Sequence, residues 1–295
     1  MDGIINVNKP VGITSHDVVY KLRHILNIKK IGHTGTLDPL AEGVLPMCIG
    51  RGTKIAEYLS AKDKQYEAEI TFGITTDTCD ITGEVLEKKE IFATAEEIRD
   101  AILSFEGDIM QIPPMYSAIK IDGKKMYELA RRGETVDIPP RAVTISEIRI
   151  LNIDTEKKTA RFLVDCSKGT YIRSLCRDIG EKLSCGAVMS KLKRTRSGDF
   201  KIDESYTLEE VEKMTNCGDF SFMTSVDNAL SKYERIVLAE RNTWRLCNGL
   251  KFKLAGKSEG EMFRTYAEDG RLLALCTIKD GFVKSVRAFF GEAAK

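Results

Sequence analysis

The stretch "GHTGTLDPLAEGVLP" (residues 32–46) decides how the rest of the chain is interpreted. It places the imidazole of His33 and the carboxylate of Asp38 five residues apart, in a segment rich in Gly, Thr and Pro. These residues favour turns, and an aspartate that precedes proline is biased away from the helical conformation. The stretch is therefore predicted to be a loop. Two interpretations are open, a plain turn or a loop that carries function.

The composition excludes several classes of protein. A chain of 295 residues with 42% hydrophobic residues can form one large domain or two. The net charge of +1, from 45 basic and 44 acidic residues, argues against a polycation but allows a local basic face. The N-terminus lacks the layout of a signal peptide, and no apolar run approaches the roughly 20 residues that span a bilayer. We therefore expect a soluble, cytoplasmic protein without a membrane partner.

Known cofactor motifs are missing from the sequence. The eight cysteines form no C-x-x-C pair, and the three histidines have no recognised metal spacing, so no metal site is expected. Neither G-x-x-x-x-G-K-[ST] nor G-x-G-x-x-G occurs, so no nucleotide cofactor is expected. Any chemistry must then come from side chains.

The segments near the opening stretch alternate between strands and helices. "GIINVNKP" predicts a strand, and "TSHDVVYKLRHILN" predicts a helix with Ser15 as its N-cap. "KQYEAEITF" alternates as a strand does, with Tyr66 on its apolar face. "TAEEIRDAILSFEG" predicts a helix that begins at a capping box of Thr94 and Glu97, with Gly107 just past its end.

The later segments complete an α+β pattern. "AVTISEIRILNID", "KTARFLVDCS" and "AVMSKLKRTRSGDF" predict strands, whereas "TYIRSLCRDIGEKL" and "TLEEVEKM" predict helices. Because there is no regular βαβ alternation, we expect a mixed, mainly antiparallel central sheet flanked by helices. From about residue 217 the sequence becomes polar and then β-rich, with strands in "RIVLAE" and "KFKLA" and a hairpin turn at "EDGR". This predicts a small appended β-rich domain.

Basic residues cluster in two stretches. Residues 120–132 and 188–201 each hold five basic residues, which are Lys120, Lys124, Lys125, Arg131 and Arg132, then Lys191, Lys193, Arg194, Arg196 and Lys201. Acidic residues concentrate elsewhere, at 84–100 and 204–212. One interpretation is an ordinary solvated face. The other is a surface that binds a phosphate backbone, with strongly salt-dependent affinity.

The residues now match a known family. "GHTGTLDPLAEGVLPMCIGRGTK" closely resembles the catalytic segment of the TruB family, the bacterial tRNA pseudouridine-55 synthases. Four more segments resemble that family in order, and they are "NVNKPVGITSHDVV", "KQYEAEITFGITTDTCDITGE", "QIPPMYSAIKIDGKKMYELARRG" and "CSKGTYIRSLCRDIG". Together the five segments cover most of residues 4–200, whereas the C-terminal part resembles the family's PUA domain only loosely.

This resemblance implies a fold, a reaction and partners. It implies a pseudouridine synthase domain over residues 1–230, with an RNA-clamping insertion at about 111–141, and a PUA-like RNA-binding domain over 231–295. The implied reaction converts uridine to pseudouridine, at U55 in the T loop of tRNA, without cofactor or metal. The uridine must leave the helix stack, as in other enzymes that act on a base. The chain lacks long basic tails, so we expect a monomer that needs no guide RNA.

The resemblance also implies roles for individual residues. Asp38 is the reactive carboxylate, Arg173 its ion-pair partner and Tyr66 the residue that stacks on the base. Tyr171 is two residues before Arg173, so on a strand its side chain would share the face of Arg173. The expected substrate-binding residues are His33, which fills the space of the flipped base, Tyr171, Leu192, Asp80, which matches an aspartate in the hydrogen-bond network near the arginine, and Lys120 and Arg132. Lys9 is expected to support the catalytic loop.

Two other functions remain possible at this stage. A non-catalytic RNA-binding protein would explain the basic stretches, but it leaves Asp38, Tyr66 and Arg173 without a role. A glycosidase or nucleoside hydrolase would also place a carboxylate beside a C1′ bond, although such enzymes usually use two carboxylates. The mass of the product distinguishes hydrolysis from isomerisation.

Overall fold

A sheet of ten strands forms the centre of the protein in a computed structural model, which describes residues 1–117, 120–121, 124–126, 129, 132, 136 and 138–290. The strands of these residues are β1 (Gly3–Lys9), β2 (Ile31–His33), β3 (Glu42–Ile49), β4 (Lys64–Phe72), β5 (Ile74–Thr76), β6 (Val85–Lys88), β7 (Gly107–Gln111), β8 (Lys120–Ile121), β9 (Lys124–Lys125), β10 (Arg141–Asp154), β11 (Thr159–Cys166), β12 (Ala187–Ser197), β13 (Phe200–Lys201), β14 (Met223–Thr224), β15 (Glu234–Val237), β16 (Met262–Tyr266), β17 (Leu272–Lys279) and β18 (Phe282–Ala288). The α-helices are α1 (Ser15–Leu26), α2 (Ala56–Ser60), α3 (Ala95–Leu103), α4 (Ile172–Lys182), α5 (Leu208–Asn216), α6 (Val226–Ala229) and α7 (Glu240–Cys247), with 3₁₀ turns at Gly50–Ile55 and Ile202–Glu204.

The large sheet is mixed and mainly antiparallel, as the sequence predicted. Its strand order is β14-β1-β3-β12-β4-β11-β10-β7, with β2 beside β3 and β13 beside β12. The one parallel pair along this order is β3 with β12, near its middle. Strand β4 lies on the other side of β12, so residues from distant parts of the sequence become neighbours at the centre of the sheet.

Strand alternation gives the sheet two buried faces. Ile5 and Val7 of β1 join the main hydrophobic core, to which α1, α3, α4 and α5 contribute buried side chains. Ile4 points to the opposite face, where it packs in a smaller cluster with Leu275 and Phe289 of the C-terminal region. The same alternation buries the predicted face of β4, including Tyr66. Helices therefore cover one face, and the C-terminal region lies against part of the other.

Helix starts follow local hydrogen-bonding rules, with one correction to the prediction. The capping box of Thr94 and Glu97 at the start of α3 is confirmed. At α1, the N-cap is Thr14, whose side chain accepts from the Asp17 N–H, rather than Ser15. Serine and threonine both favour N-cap positions. Thr14 is selected because its backbone N–H donates in return to the Asp17 carboxylate, which completes a capping box. Gly107 does not cap α3 but begins β7, with φ of 103°.

The C-terminal region forms a four-stranded sheet with the order β15-β16-β17-β18 and its own apolar core. The predicted turn at "EDGR" lies between β16 and β17. The predicted strand at "KFKLA" is wrong, because residues 251–255 have no regular structure and bury Phe252 in the core. Helix α7 was not predicted, since its eight residues are mostly polar.

The two sheets are joined by polar contacts around the 3₁₀ turn Gly50–Ile55. The Arg51 guanidinium donates to the Phe289 carbonyl (2.8 Å), and the Lys54 ammonium donates to the Ala288 carbonyl (2.6 Å). In return, Arg287 Nε donates to the Lys54 carbonyl (3.0 Å). Backbone carbonyls on both sides are thus satisfied at the junction.

The insertion predicted at 111–141 is described only in part. Its described residues include the antiparallel pair β8 and β9. The side chains of Lys120, Lys124 and Lys125, and the whole of Arg131, lie outside the described residues. Arg132 is exposed. Within the described ranges, every helix is too short or too polar to cross a bilayer.

Candidate active site

A cleft of about 740 Å³ opens where the loop between β2 and β3, strands β4 and β12, and the turn that follows β5 come together. Six of the nine predicted site residues line it, and these are Asp38, Tyr66, Asp80, Tyr171, Arg173 and Leu192. His33 borders the cleft through its neighbour Thr34 but does not line it. The exposed Arg132 is not among the lining residues, and the side chain of Lys120 is outside the described part of the chain.

The loop that carries Asp38 is fixed by hydrogen bonds along its length. The hydroxyl of Ser15 accepts from the Leu37 N–H (2.8 Å) and donates to the Leu37 carbonyl (3.0 Å). The Ala41 N–H donates to the Asp38 carbonyl (3.0 Å). Ser15, which the sequence had suggested as a helix cap, instead connects α1 to Leu37, the residue before Asp38. The loop is thus ordered before any substrate binds.

Lys9 is fully buried at the base of this loop system. Its ammonium donates to the carbonyls of Pro10 (2.8 Å) and Ile13 (2.7 Å), and the Gly12 N–H within that turn donates to the Pro39 carbonyl (2.8 Å). Burial lowers the pKa of Lys9 to about 8, and the nearby Asp38 opposes that shift. The contacts agree with a supporting role for Lys9.

Arg173 connects three segments at the floor of the cleft. Its Nε lies 2.9 Å from Asp38 Oδ2, its Nη1 donates to the Thr78 carbonyl (3.1 Å), and its Nη2 donates to the Tyr116 carbonyl (2.8 Å). The residue is only 5% exposed. A planar guanidinium can bond in these separate directions at once, whereas a lysine ammonium presents a single nitrogen. Arg173 therefore fixes the position of Asp38 relative to two other loops.

Asp80 lies beside this ion pair and is itself held in place. Its Oδ2 is 3.7 Å from Arg173 Nη1, while its Oδ1 accepts from the hydroxyls of Thr78 (3.0 Å) and Thr82 (2.6 Å). The Thr82 N–H also donates to Oδ1 (3.0 Å). These contacts place the Asp80 carboxylate at the centre of the T-D-T-C-D-I-T-G turn.

Opposing effects act on the pKa of the Asp38 carboxyl group. Burial raises the pKa of Asp38 above its usual value, the Arg173 cation opposes the rise, and the neighbouring Asp80 adds to it. Arg173 therefore only partly offsets burial, because Asp80 shares its charge. About 36% of the Asp38 side chain stays open to the cleft, so the carboxylate remains accessible to a substrate.

Two tyrosines form walls of the cleft. Tyr66 extends from β4 and is 9% exposed, and burial raises the pKa of its phenol. Tyr171 does not share a strand with Arg173, because α4 begins at Ile172 and Tyr171 is its N-cap residue. Its backbone is held by Gln111, whose amide oxygen accepts from the Tyr171 N–H (2.7 Å) and whose nitrogen donates to the Tyr171 carbonyl (3.0 Å). The strand geometry assumed for this pair is thus wrong, although both residues line the cleft.

His33 and Leu192 occupy neighbouring positions in the sheet. His33 ends β2, and burial together with the Arg194 cation lowers the pKa of its imidazole. Its Nδ1 has no hydrogen-bond partner among the described residues. Leu192 lies on β12 opposite Ala68 and presents an apolar surface to the cleft.

Two of the five basic residues of the second basic stretch pair with acidic neighbours, and a third is buried. Lys191 pairs with Glu69 (3.2 Å), and Arg196 pairs with Asp165. Arg194 is 1% exposed and cannot contact a phosphate on the surface. The sequence pattern was misleading here because it does not reveal which strand residues meet an acidic neighbour. Sequence reasoning also missed Gln111, which begins the segment "QIPPMYSAIKIDGKKMYELARRG" but was assigned no role there.

Comparison with known proteins gives the family of the chain. The sequence matches the N-terminal domain of TruB family pseudouridylate synthases over residues 23–172 and the tRNA pseudouridylate synthase B C-terminal domain over residues 173–237. The tRNA pseudouridine synthase B of Alkaliphilus oremlandii is 51% identical over 84% of this chain and 82% of that protein. The protein of the same name from Clostridium kluyveri is 43% identical over 98% of this chain and 100% of that protein.

Solved structures give a consistent result. A Cbf5–Nop10–Gar1 complex matches with a TM-score of 0.73 and 27% identity over 99% of this chain and 86% of that chain. An H/ACA RNP bound to a substrate RNA containing 2′-deoxyuridine matches with a TM-score of 0.72 and 25% identity, with coverage of 99% and 86%. The predicted pseudouridine synthase fold is confirmed, and the chain belongs to the TruB family of pseudouridylate synthases.

Proposed function

We propose that this protein isomerises uridine to pseudouridine in tRNA, at position 55 of the T loop. The observation that carries the proposal is the Asp38–Arg173 ion pair, at 2.9 Å, on the floor of a cleft walled by Tyr66. The cleft volume of about 740 Å³ falls within the range of roughly 300–1,000 Å³ typical of ligand sites. It therefore has room for one extruded nucleotide.

The reaction needs one reactive carboxylate. The N1–C1′ bond of the uridine breaks, the base turns, and a new bond joins C1′ to C5. The proton on C5 leaves and a proton is added at N1, so the mass of the RNA is unchanged. Asp38 acts either as a nucleophile or as a base that removes the 2′ proton. Arg173 holds its carboxylate in position for either role.

The remaining residues handle the base. Tyr66 stacks on the flipped uracil, and its hydroxyl is a candidate for moving the C5 proton. Its pKa is raised by burial, so the phenol is neutral when substrate enters. Leu192 and Tyr171 line the pocket for the base. His33, at the rim, fills the space that the uridine leaves in the RNA helix, because extrusion otherwise costs a few kcal/mol of stacking.

RNA binding extends beyond the cleft in this proposal. The insertion at 111–141, with Lys120 and Arg132, contacts the phosphate backbone, and residues 231–295 form a separate RNA-binding domain after a catalytic domain of residues 1–230. The separate core of the four-stranded sheet supports this division. We further propose that the protein acts in the cytoplasm as a monomer and without a guide RNA.

Hydrolysis of the glycosidic bond is the alternative chemistry. A glycosidase would need a second carboxylate as general acid, or as a base for water. The neighbouring carboxylate is that of Asp80, which already contacts Thr78, Thr82 and Arg173. This arrangement favours isomerisation.

The test is incubation of the purified protein with an unmodified tRNA transcript. Chemical mapping should locate one pseudouridine at position 55, and mass spectrometry should show unchanged RNA mass. A transcript with cytidine at that position is the matched control and should stay unmodified. Released uracil would indicate hydrolysis. Tight binding without any product would indicate a non-catalytic RNA-binding protein.

A further inference from the structure

Arg194 is the largest fully buried side chain of the described residues, at 1% exposure in the middle of β12. No carboxylate within the described ranges lies within ion-pair distance of its guanidinium, although Asp38, Asp80 and Asp165 are all paired with other arginines. A buried charge without an acidic partner is costly. Arg194 lines the cleft, so neither binding at the outer surface nor packing alone explains why an arginine is buried there.

The guanidinium connects the catalytic loop to the sheet. Its Nε donates to the Val44 carbonyl of β3 (2.6 Å), and its Nη2 donates to the Gly35 carbonyl (3.2 Å), three residues before Asp38. Strands β3 and β12 must approach closely for this reach, since a Cβ on Gly43 would lie 2.3 Å from the Arg194 carbonyl oxygen. Gly43 therefore permits the close approach of the two strands.

The same side chain borders the base-stacking tyrosine. Arg194 lies directly opposite Tyr66 in the β4–β12 register, and opposed residues of an antiparallel pair project from the same face. Its charge opposes the rise that burial causes in the pKa of the Tyr66 phenol, and it lowers the pKa of His33. The Arg194 guanidinium thus contacts the loop that carries Asp38, and its charge also acts to lower the pKa of Tyr66 and of His33.

We propose that Arg194 is a positioning residue for the reaction. From β12, which pairs with the Tyr66 strand, it holds the Asp38 loop through the Gly35 carbonyl and β3 through the Val44 carbonyl. The inference rests on the proposed function and adds a residue to it. It differs from the role suggested by sequence, in which Arg194 belonged to a phosphate-binding face. A lysine at this position keeps the charge, but its single nitrogen cannot reproduce the spaced, planar Nε and Nη2 donors of the guanidinium.

The test compares Arg194→Lys and Arg194→Met with the wild type in single-turnover assays on tRNA, beside direct measurement of the Kd for tRNA. Both variants should lose turnover by on the order of 100-fold, the effect of misplacing a reacting group by about 1 Å. The Kd should stay within about twofold, because the side chain has no surface to offer a phosphate. Arg161→Lys on β11 is the matched control, since Arg161 pairs with Glu67 at the surface, and it should keep full turnover.

An NMR titration gives a second readout, because the chain has only three histidines. The pKa of His33 should rise in Arg194→Met, which loses the cation, and stay near its wild-type value in Arg194→Lys. Wild-type turnover in folded Arg194→Lys and Arg194→Met would overturn the proposal. A loss of turnover explained wholly by weaker tRNA binding would also overturn it, as would an unchanged pKa of His33 in Arg194→Met. If Arg194→Met does not fold, Arg194→Lys decides by turnover and Kd. A wild-type enzyme without activity would instead refute the proposed function.

Discussion

Breaking the Arg173–Asp38 pair should destabilise the free protein by an amount that the structure allows us to estimate. Arg173→Met removes the contact to Asp38 at 2.9 Å and leaves the carbonyls of Thr78 and Tyr116 without their donors. Asp38 and Asp80 would then face each other without a cation between them. Removing one partner of a buried ion pair generally costs about 3–5 kcal/mol, and we expect a loss in that range.

The pairwise part of this loss is smaller. Hydrogen bonds to charged groups contribute about 1.5–3 kcal/mol, and solvent screening at the partly open Asp38 favours the lower half of that range. In a double-mutant cycle of Arg173→Met and Asp38→Asn, we therefore expect a coupling energy of about 1.5–2 kcal/mol. The surface pair Arg161–Glu67, at 2.7 Å, is the control cycle and should couple by less than about 1 kcal/mol.

The loss should also depend on pH. Without Arg173, only Lys9 opposes the effects of burial and of Asp80 on Asp38, so the folded-state pKa of Asp38 rises further above the unfolded value. An acid with a raised folded-state pKa binds more protons in the folded state, so stability falls as pH increases between the two pKa values. Arg173→Met should therefore be less destabilised near about pH 5 than near about pH 8.

Urea unfolding followed by circular dichroism measures these free energies for the four proteins of each cycle. A coupling energy near zero for Arg173 and Asp38 would show that the contact does not contribute to stability. A deficit in Arg173→Met that is the same at both pH values would show that no carboxylate depends on this cation.

Three further predictions concern activity and binding. Tyr66→Phe should keep KM and lose most of kcat in steady-state assays, whereas full activity would show that only the ring matters. The apparent pKa on the acid side of the kcat/KM pH profile should lie above the ordinary aspartate value of 3.8. The reason is that the pKa of Asp38 is raised, and activity is lost as the pH falls through it. An apparent pKa at the ordinary value would contradict this. Replacing Lys120, Lys124, Lys125 and Arg132 together with alanine should weaken tRNA binding. The slope of log Kd against log salt concentration should fall by up to about one unit for each lost phosphate contact. An unchanged slope would mean that this face is merely solvated.

Local patterns predicted the elements that are determined locally. The alternation in residues 64–72 gave β4 and the buried side of Tyr66, and the spacing of Thr94 and Glu97 gave the start of α3. These features depend on neighbours a few residues away, which the sequence displays directly. The site residues Asp38 and Arg173 came from resemblance to a family, because nothing local connects a loop to a helix so far along the chain.

Features that depend on pairing between distant segments could not be predicted. Arg194 looked like part of a basic surface, and only its register opposite Tyr66 and beside Gly43 buries it. Tyr171 and Arg173 were placed on a strand, whereas α4 begins between them, where Gln111 holds the Tyr171 backbone. In each case a tertiary contact outweighed a local preference.

The central claim is that the carboxylate of Asp38 performs the chemistry while other residues bind the RNA. Single-turnover assays on tRNA transcript with Asp38→Asn, beside a Kd measurement, test it most directly. The account predicts no detectable pseudouridine and a Kd within a few-fold of the wild type. Pseudouridine formation by purified Asp38→Asn at a rate near that of the wild type would contradict it.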